Sequence, residues 1–253
     1  MSSMWITGDI HGNPNRLSSD CFYEQKEMEG GQDENFVLVS GDFGLIWSRY
    51  EESAQEKYWL DWLESKNFTT LFVDGNHENF DRLYDYPVEE WHGGKVHKIR
   101  PHVIHLMRGQ VFEILGKKIF TFGGASSHDI RDGVLEIGDP RIKEWSRDYF
   151  KLFRVNHLSW WDKELPTSAE MQEGFDNLEK HNWNVDFVVT HSPSASVIAL
   201  LGQGLYEQDV LTKYLEEIRV RLDYQKWFMG HMHVNRQINT QDILLYEQII
   251  RIY

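Results

Sequence analysis

The sequence predicts an α/β fold built on a parallel sheet, and three observations predict it. Within the first 85 residues a short apolar, β-prone run, a polar loop and a helix-forming stretch follow one another three times. Two further strand-like runs, ending at Thr190 and Met229, repeat the first half of that cadence. All five runs deliver only Asp, Asn and His into the loops that follow them. Parallel strands bring their C-terminal ends to one edge, so these loops are expected to meet.

Met4-Trp5-Ile6-Thr7 is the first strand, and in its loop, Gly8-Asp9-Ile10-His11-Gly12, Asp9 and His11 stand two positions apart and point to one side. Asn13-Pro14 opens a helix expected over Asn15 to Met28, with Leu17 and Cys21 on its course, and the polar stretch Glu24 to Asn35 reads as a helix end plus a loop. Phe36 to Ser40 is a continuous apolar run, as in a strand covered on both faces, and it leads into Gly41-Asp42. Ala54, Tyr58, Trp62 and Leu63 recur at helical spacing between Glu51 and Lys66. Thr70 to Val73 is the third strand, followed by Asp74-Gly75-Asn76-His77-Glu78 and a short helix from Asn79 to Tyr84.

From Lys95 to Gly124 the texture changes. His102 to Met107, Gln110 to Leu115 and Lys118 to Gly123 read as strands joined by the tight turns Arg108-Gly109 and Gly116-Lys117, which predicts an antiparallel meander. Residues 125–166 are expected to form a long irregular, lid-like insert carrying His128, Asp129, Arg131, Trp160, Trp161 and Glu164. Thr167-Ser168-Ala169-Glu170 is a capping box that starts a helix with Met171, Phe175 and Leu178 on one face. Val185 to Thr190 is a strand that delivers His191. A helix over Glu207 to Leu222 precedes the strand Lys226 to Met229, which ends in Gly230-His231-Met232-His233. The tail, Ile243 to Ile252, is expected to close a sheet.

No stretch reads as a linker, so a single domain over 1–253 is expected. The net charge of −14 argues against an extended nucleic acid or an anionic membrane as partner, because phosphate surfaces are met with many Lys and Arg. No apolar run approaches the ~20 residues that span a bilayer, and no basic segment with an apolar core opens the chain. The single Cys21 cannot form an internal disulfide. Together these favour a cytoplasmic setting.

The candidate ligands are Asp9, His11, Asp42, Asn76, His191, His231 and His233, with His77 beside them. Any one could be an ordinary turn residue; five such loops at one edge point to metal. Oxygen and imidazole donors without a thiolate suit Mn, Fe, Zn or Co. Seven donors exceed what one ion with an open position takes, and fit two ions that share a carboxylate.

The order Asp-x-His, Gly-Asp, Gly-Asn-His-Glu, a late His and Gly-His-x-His, running from Asp9 to His233, resembles the calcineurin-like metallophosphoesterases. The resemblance implies a sandwich of two β-sheets flanked by helices, an α/β/β/α arrangement. It also implies Asp9, His11, Asp42 and His233 around one divalent ion and Asp42, Asn76, His191 and His231 around the other, with Asp42 as the bridge. One departure stands out: Leu45 and Ile46 replace the second Asp and the Arg of the protein phosphatase branch. A small-molecule branch is therefore expected, with Asp74 or Glu78 as the partner that orients His77.

Two cations about 3.5–4 Å apart lower the pKa of water and stabilise both apical oxygens at phosphorus, so attack by a metal-bridging hydroxide is expected. His77 would protonate the leaving oxygen or offset charge on the phosphoryl group. Asn76, His128 and Arg131 are the expected substrate contacts, and Trp160, Trp161 and Glu164 a pocket wall. The expected activity is phosphatase or phosphodiesterase action on a small nucleotide or another small phosphoester, with Mn as cofactor. A metal-dependent nuclease and a non-catalytic binding scaffold are the alternatives.

Overall fold

Along the central strands apolar side chains alternate between two faces, so each strand feeds two cores at once. The computed structural model describes residues 2–28, 34–202 and 207–253. From the N-terminus run β1 (Ser3–Thr7), β2 (Asn35–Val39), α1 (Ala54–Glu64), β3 (Thr69–Phe72), α2 (Phe80–Leu83), β4 (Val88–Trp91), β5 (Gly94–Arg100) and β6 (Val103–Leu106). Next come β7 (Gln110–Ile114), β8 (Lys117–Phe122), β9 (Gly133–Leu135), α3 (Arg141–Trp145), β10 (Phe153–Val155), α4 (Ser168–Lys180) and β11 (Asn184–Thr190). The chain ends with α5 (Ala195–Gly202), α6 (Val210–Arg221), β12 (Asp223–Met229), β13 (Arg236–Gln237), β14 (Asp242–Leu244) and β15 (Ile249–Arg251).

Among the described residues the strands form a seven-stranded sheet, β15-β1-β2-β3-β6-β5-β4, and a six-stranded sheet, β13-β14-β12-β11-β8-β7. Met4, Ile6, Phe36 and Leu38 meet Phe112, Phe187 and Phe228 between the two sheets. Trp5, Val37 and Val39 turn the other way, onto Leu60 and Leu63 of α1. Val188, Trp227 and Met229 turn onto Leu211, Leu215 and Ile218 of α6. The layers are thus helix, sheet, sheet, helix, as the motif order implied. Each fully buried side chain of this size contributes roughly 1.5–3 kcal/mol, so the interleaved cores hold the sheets in register. The parallel pairs β1/β2/β3 and β11/β12 aim their C-terminal ends at the same edge.

Several elements differ from expectation for identifiable reasons. Asn15 to Met28 is not one helix but two short 3-10 turns, Pro14–Leu17 and Tyr23–Met28. Ser18 donates its N–H back to Asn15 O, and the Ser18-Ser19-Asp20 run favours such turns over a continued helix. Of the loop expected between Glu24 and Asn35, residues 29–33 lie outside the described residues.

Only the second half of the expected meander exists. β6 pairs with β3 and β5 in one sheet, whereas β7 and β8 form a hairpin in the other. The chain changes sheets at Arg108-Gly109, where the buried Arg108 pairs with Asp74 and Gly109 adopts φ +72. The hairpin β4/β5 turns on His92-Gly93, both in the left-handed region, and was not expected. The 125–166 insert is not irregular: it contains α3 and the parallel pair β9/β10. α5 also went unread, since Ala195-Ser196-Val197-Ile198-Ala199-Leu200-Leu201 has too narrow a polar face to show a period. The tail edges both sheets, β14 beside β12 and β15 antiparallel to β1. Among the described residues no helix is long and apolar enough to cross a membrane.

Candidate metal centre

Each ligand loop begins where a strand stops and the backbone bends sharply. At Gly75 a Cβ would overlap the Asp42 carboxylate, and at Gly230 one would overlap that of Asp9, so only glycine lets these loops close on the acids. His11, Asp42, His231 and His233 have φ of +45, +43, +66 and +48. Side chains in that region cost roughly 1–3 kcal/mol each, which marks a site where aim outweighs local comfort.

Two clusters result. In the first, the donor atoms of Asp9, His11, Asp42 and His233 all lie within 4.8 Å of one another. His233 Nε2 is 3.3 Å from Asp9 Oδ2, and His11 Nε2 is 3.8 Å from Asp42 Oδ2. In the second, Asp42, His191 and His231 meet the same criterion, with His191 Nε2 3.3 Å from Asp42 Oδ1. Asp42 belongs to both. The backbone N–H of His231 donates to both Asp9 oxygens at 3.1 Å, and that of His77 to Asp42 Oδ1 at 2.9 Å.

Two orphaned atoms test whether cations fit. His191 Nδ1 faces Ser40 O at 2.9 Å, a pairing that puts a proton on Nδ1 and makes Nε2 the atom that faces the acids. That Nε2 is buried without a hydrogen-bond partner among the described residues, and so is Asn76 Oδ1. Buried acceptors left in this way match ligand positions, and the donor set fits a pair of divalent ions.

The local field points the same way. Burial alone would depress His191, but the Asp42 and Asp9 carboxylates outweigh it and push the ring up to about 10. Burial would raise Asp42; His191, His77 and His11 together hold it far below the usual carboxylate range. The protein therefore demands positive charge between these acids. Burial lowers His11 and His77, and lowers His231 strongly, which favours the lone-pair form of the His11 and His231 rings that a cation needs.

His77 lies at the edge of the first cluster, stacked on Trp47 at 5.7 Å and edge-on to His11 at 5.0 Å. Its expected orienting partners are engaged elsewhere. Asp74 accepts from Arg108 Nε at 2.9 Å and pairs with His105 at 3.1 Å, while Glu78 accepts the N–H groups of Phe43 and Gly44. Among the described residues no side chain hydrogen-bonds the His77 ring, so aromatic packing fixes its plane.

The expected substrate contacts divide. Asn76 is buried between Gly75 and His77, both of which lie against Asp42, and its Oδ1 has no partner among the described residues. His128 lies beside the site, its ring 4.6 Å from that of His231, on the wall of a cavity of about 420 Å³. Arg131 does not join them: its side chain is 71% exposed, bonded to Phe150 O and near Asp132. A cation whose charge does reach the site is Arg154 of β10, mostly buried and clamped by Asp129 at 2.8 and 2.9 Å. Its charge bears on both His77 and Glu164. Sequence reading missed it; the one signal was Asp129, an acid next to His128 that needed a counter-charge.

Trp161 proves to be core. It is fully buried, edge-on to Trp47 at 5.7 Å, and donates Nε1–H to Asp81 at 2.7 Å. Glu164 is buried as well, accepting the Ser127 N–H at 3.1 Å, and burial pushes its carboxyl up to about 8. Ser127 Oγ in turn accepts from Asn76 Nδ2 at 3.3 Å.

Comparison with known proteins bears on what this centre is. A family model described as Calcineurin-like phosphoesterase matches residues 3–235. Two curated relatives are named Lariat debranching enzyme. The one from Schizosaccharomyces pombe is 24% identical over 65% of this chain and 33% of its own length. The one from Danio rerio is 19% identical over 90% of this chain and 40% of its own. The chain thus spans only a third to two fifths of those relatives. A solved structure titled Phosphopantetheinyl Hydrolase from Mycobacterium tuberculosis is also similar, at 14% identity and a TM-score of 0.45, covering 97% of this chain and 88% of that one. The family match spans all five ligand loops, and on it the chain belongs to the calcineurin-like phosphoesterases.

Proposed function

We propose that the chain hydrolyses small phosphate esters with two divalent cations. One would be held by Asp9, His11, Asp42 and His233, the other by Asp42, Asn76, His191 and His231. The observation that carries this reading is the carboxylate of Asp42, which is common to both donor clusters. Mn is the expected ion, with Fe, Zn or Co as alternatives, given the oxygen and imidazole donors. Such a pair, when bound, lowers the pKa of water and offsets charge on the attacking and leaving oxygens of an in-line displacement.

The chain's own groups do the rest. His77, its ring plane set by Trp47 and His11, gives a proton or an N–H hydrogen bond to the leaving or phosphoryl oxygen. His128 and Asn76 border the substrate, and Arg154 takes the part first given to Arg131, as the positive charge beside the phosphoryl group. The cavity next to His231 receives the organic part of the ester. Glu207 and Asp209 line it and, among the described residues, no Lys or Arg does, which suits a small neutral group better than a run of further phosphates. A cytoplasmic setting goes with this reading, since Cys21 is exposed and has no internal partner.

The test is a panel of monoesters, diesters, cyclic nucleotides and dinucleotide polyphosphates assayed with Mn and with a chelator. Metal-dependent turnover of small esters is expected; turnover indifferent to the chelator would refute the mechanism. The likeness to two proteins named Lariat debranching enzyme favours a second reading, a nuclease. Faster cleavage of an oligonucleotide than of any small ester would put it first.

A further inference from the structure

Asn76 presents one amide with two chemically opposite ends. Only Oδ1 can bind a cation; Nδ2 would repel it. A half-turn about the last side-chain bond exchanges the two, so something must set which end faces the acids. Packing cannot, because the ends have nearly the same shape.

Asn76 is buried, with Nδ2 donating to Ser127 Oγ at 3.3 Å and Oδ1 without a partner among the described residues. A serine hydroxyl is ambiguous by itself, since it can accept from Nδ2 or donate to Oδ1. Glu164 removes the ambiguity. Its Oε2 accepts the Ser127 N–H at 3.1 Å, which brings the carboxyl against that residue, and its Oε1 is buried without a partner among the described residues, so the carboxyl stands there as an acceptor for the Ser127 hydroxyl proton. With its proton directed there, Oγ has only a lone pair left for Asn76. Oε2 can accept in either protonation state of Glu164, so the direction of the relay does not depend on titration.

We propose that Ser127 and Glu164 are positioning residues that fix the polarity of the Asn76 amide, turning Oδ1 toward the second cation. Glu164 lies 37 residues beyond Ser127, at the far end of the insert. The insert is thereby part of the metal centre's frame and not only a cover over it. This rests on the two-cation reading above.

The test is a Mn titration of the full chain followed by electron paramagnetic resonance of the free ion, which needs no turnover. Wild type should bind two ions. Ser127→Ala and Glu164→Met should weaken one of them by about 10–100-fold, the range for losing a group that orients a ligand. Ser127→Thr and Glu164→Gln, which keep the acceptors, should bind both ions as wild type does. A folded Ser127→Ala that binds both ions normally, or a Glu164→Gln as impaired as Glu164→Met, would overturn the inference alone. Wild type binding fewer than two ions would overturn the two-cation reading along with it. Should the disruptive variants not fold, exchange of the Asn76 side-chain amide protons in metal-free wild type decides. Slow exchange of one is expected, and rates like those of an exposed Asn for both would refute the relay.

Discussion

Gly75 and His77 flank Asn76 and do opposite work, one by lacking a side chain and one by aiming it. A methyl group at Gly75 would meet both the carboxylate and the backbone nitrogen of Asp42. Gly75→Ala should therefore cost on the order of 1–3 kcal/mol in chemical denaturation, as overpacking does, and weaken metal uptake in the same titration. His77→Ala should leave metal stoichiometry at the wild-type value and slow turnover by roughly 100-fold or more. Unchanged kinetics across all ester classes would remove His77 from the mechanism. At this scale the seven candidate ligands were legible because each ends a strand-like run, and strand ends of a parallel sheet converge. Arg131 misled because closeness in sequence to His128 says little inside an insert. The Asp129–Arg154 pair spans 25 residues and exists only once β9 and β10 align.

Elements were readable wherever local chemistry decided them and unreadable where tertiary contacts did. Thr167 and Glu170 cap α4 as the sequence indicated. α1 carries a second such box, Ser53 with Glu56, and there the acid does more than cap. Burial alone would raise Glu56, but N–H donors at Ser53, Ser48 and Trp47 outweigh it and hold the carboxyl at about 2. Its folded value lies below its ordinary one. Its stabilisation is therefore fully present above about pH 5 and is lost as pH falls toward 2. Glu56→Gln should lower stability by up to about 3 kcal/mol at pH 7 and flatten the stability curve between pH 5 and 2. Equal slopes for variant and wild type would contradict this account.

The insert's anchorage can be tested in the same way. Trp161→Ala removes a fully buried ring and its bond to Asp81, and should cost about 3–5 kcal/mol in denaturant unfolding. The meander failed at its first turn because tight turns such as Arg108-Gly109 look alike whether the next strand stays in its sheet or crosses. The buried Arg108–Asp74 pair that goes with the crossing joins residues 34 positions apart. α5 offered no period to read, being apolar on most sides.

For the whole molecule, the layered sandwich exists to bring loops from two sheets to one edge. β1, β2 and β3 supply Asp9, His11, Asp42 and Asn76, while β11 and β12 supply His191, His231 and His233. Each half brings only part of either cluster, so cations bound there would tie the sheets together. Binding to the folded state alone stabilises it by about 2.7 kcal/mol per site at a free ion concentration 100 times Kd. Chelation should therefore lower the melting temperature and Mn restore it; a melting temperature indifferent to both would count against a bound pair.

The most direct measurement is anomalous diffraction from crystals soaked in Mn. Two peaks about 3.5–4 Å apart, one on each side of the Asp42 carboxylate, are the predicted result. A single peak, or none within reach of Asp42, would contradict it.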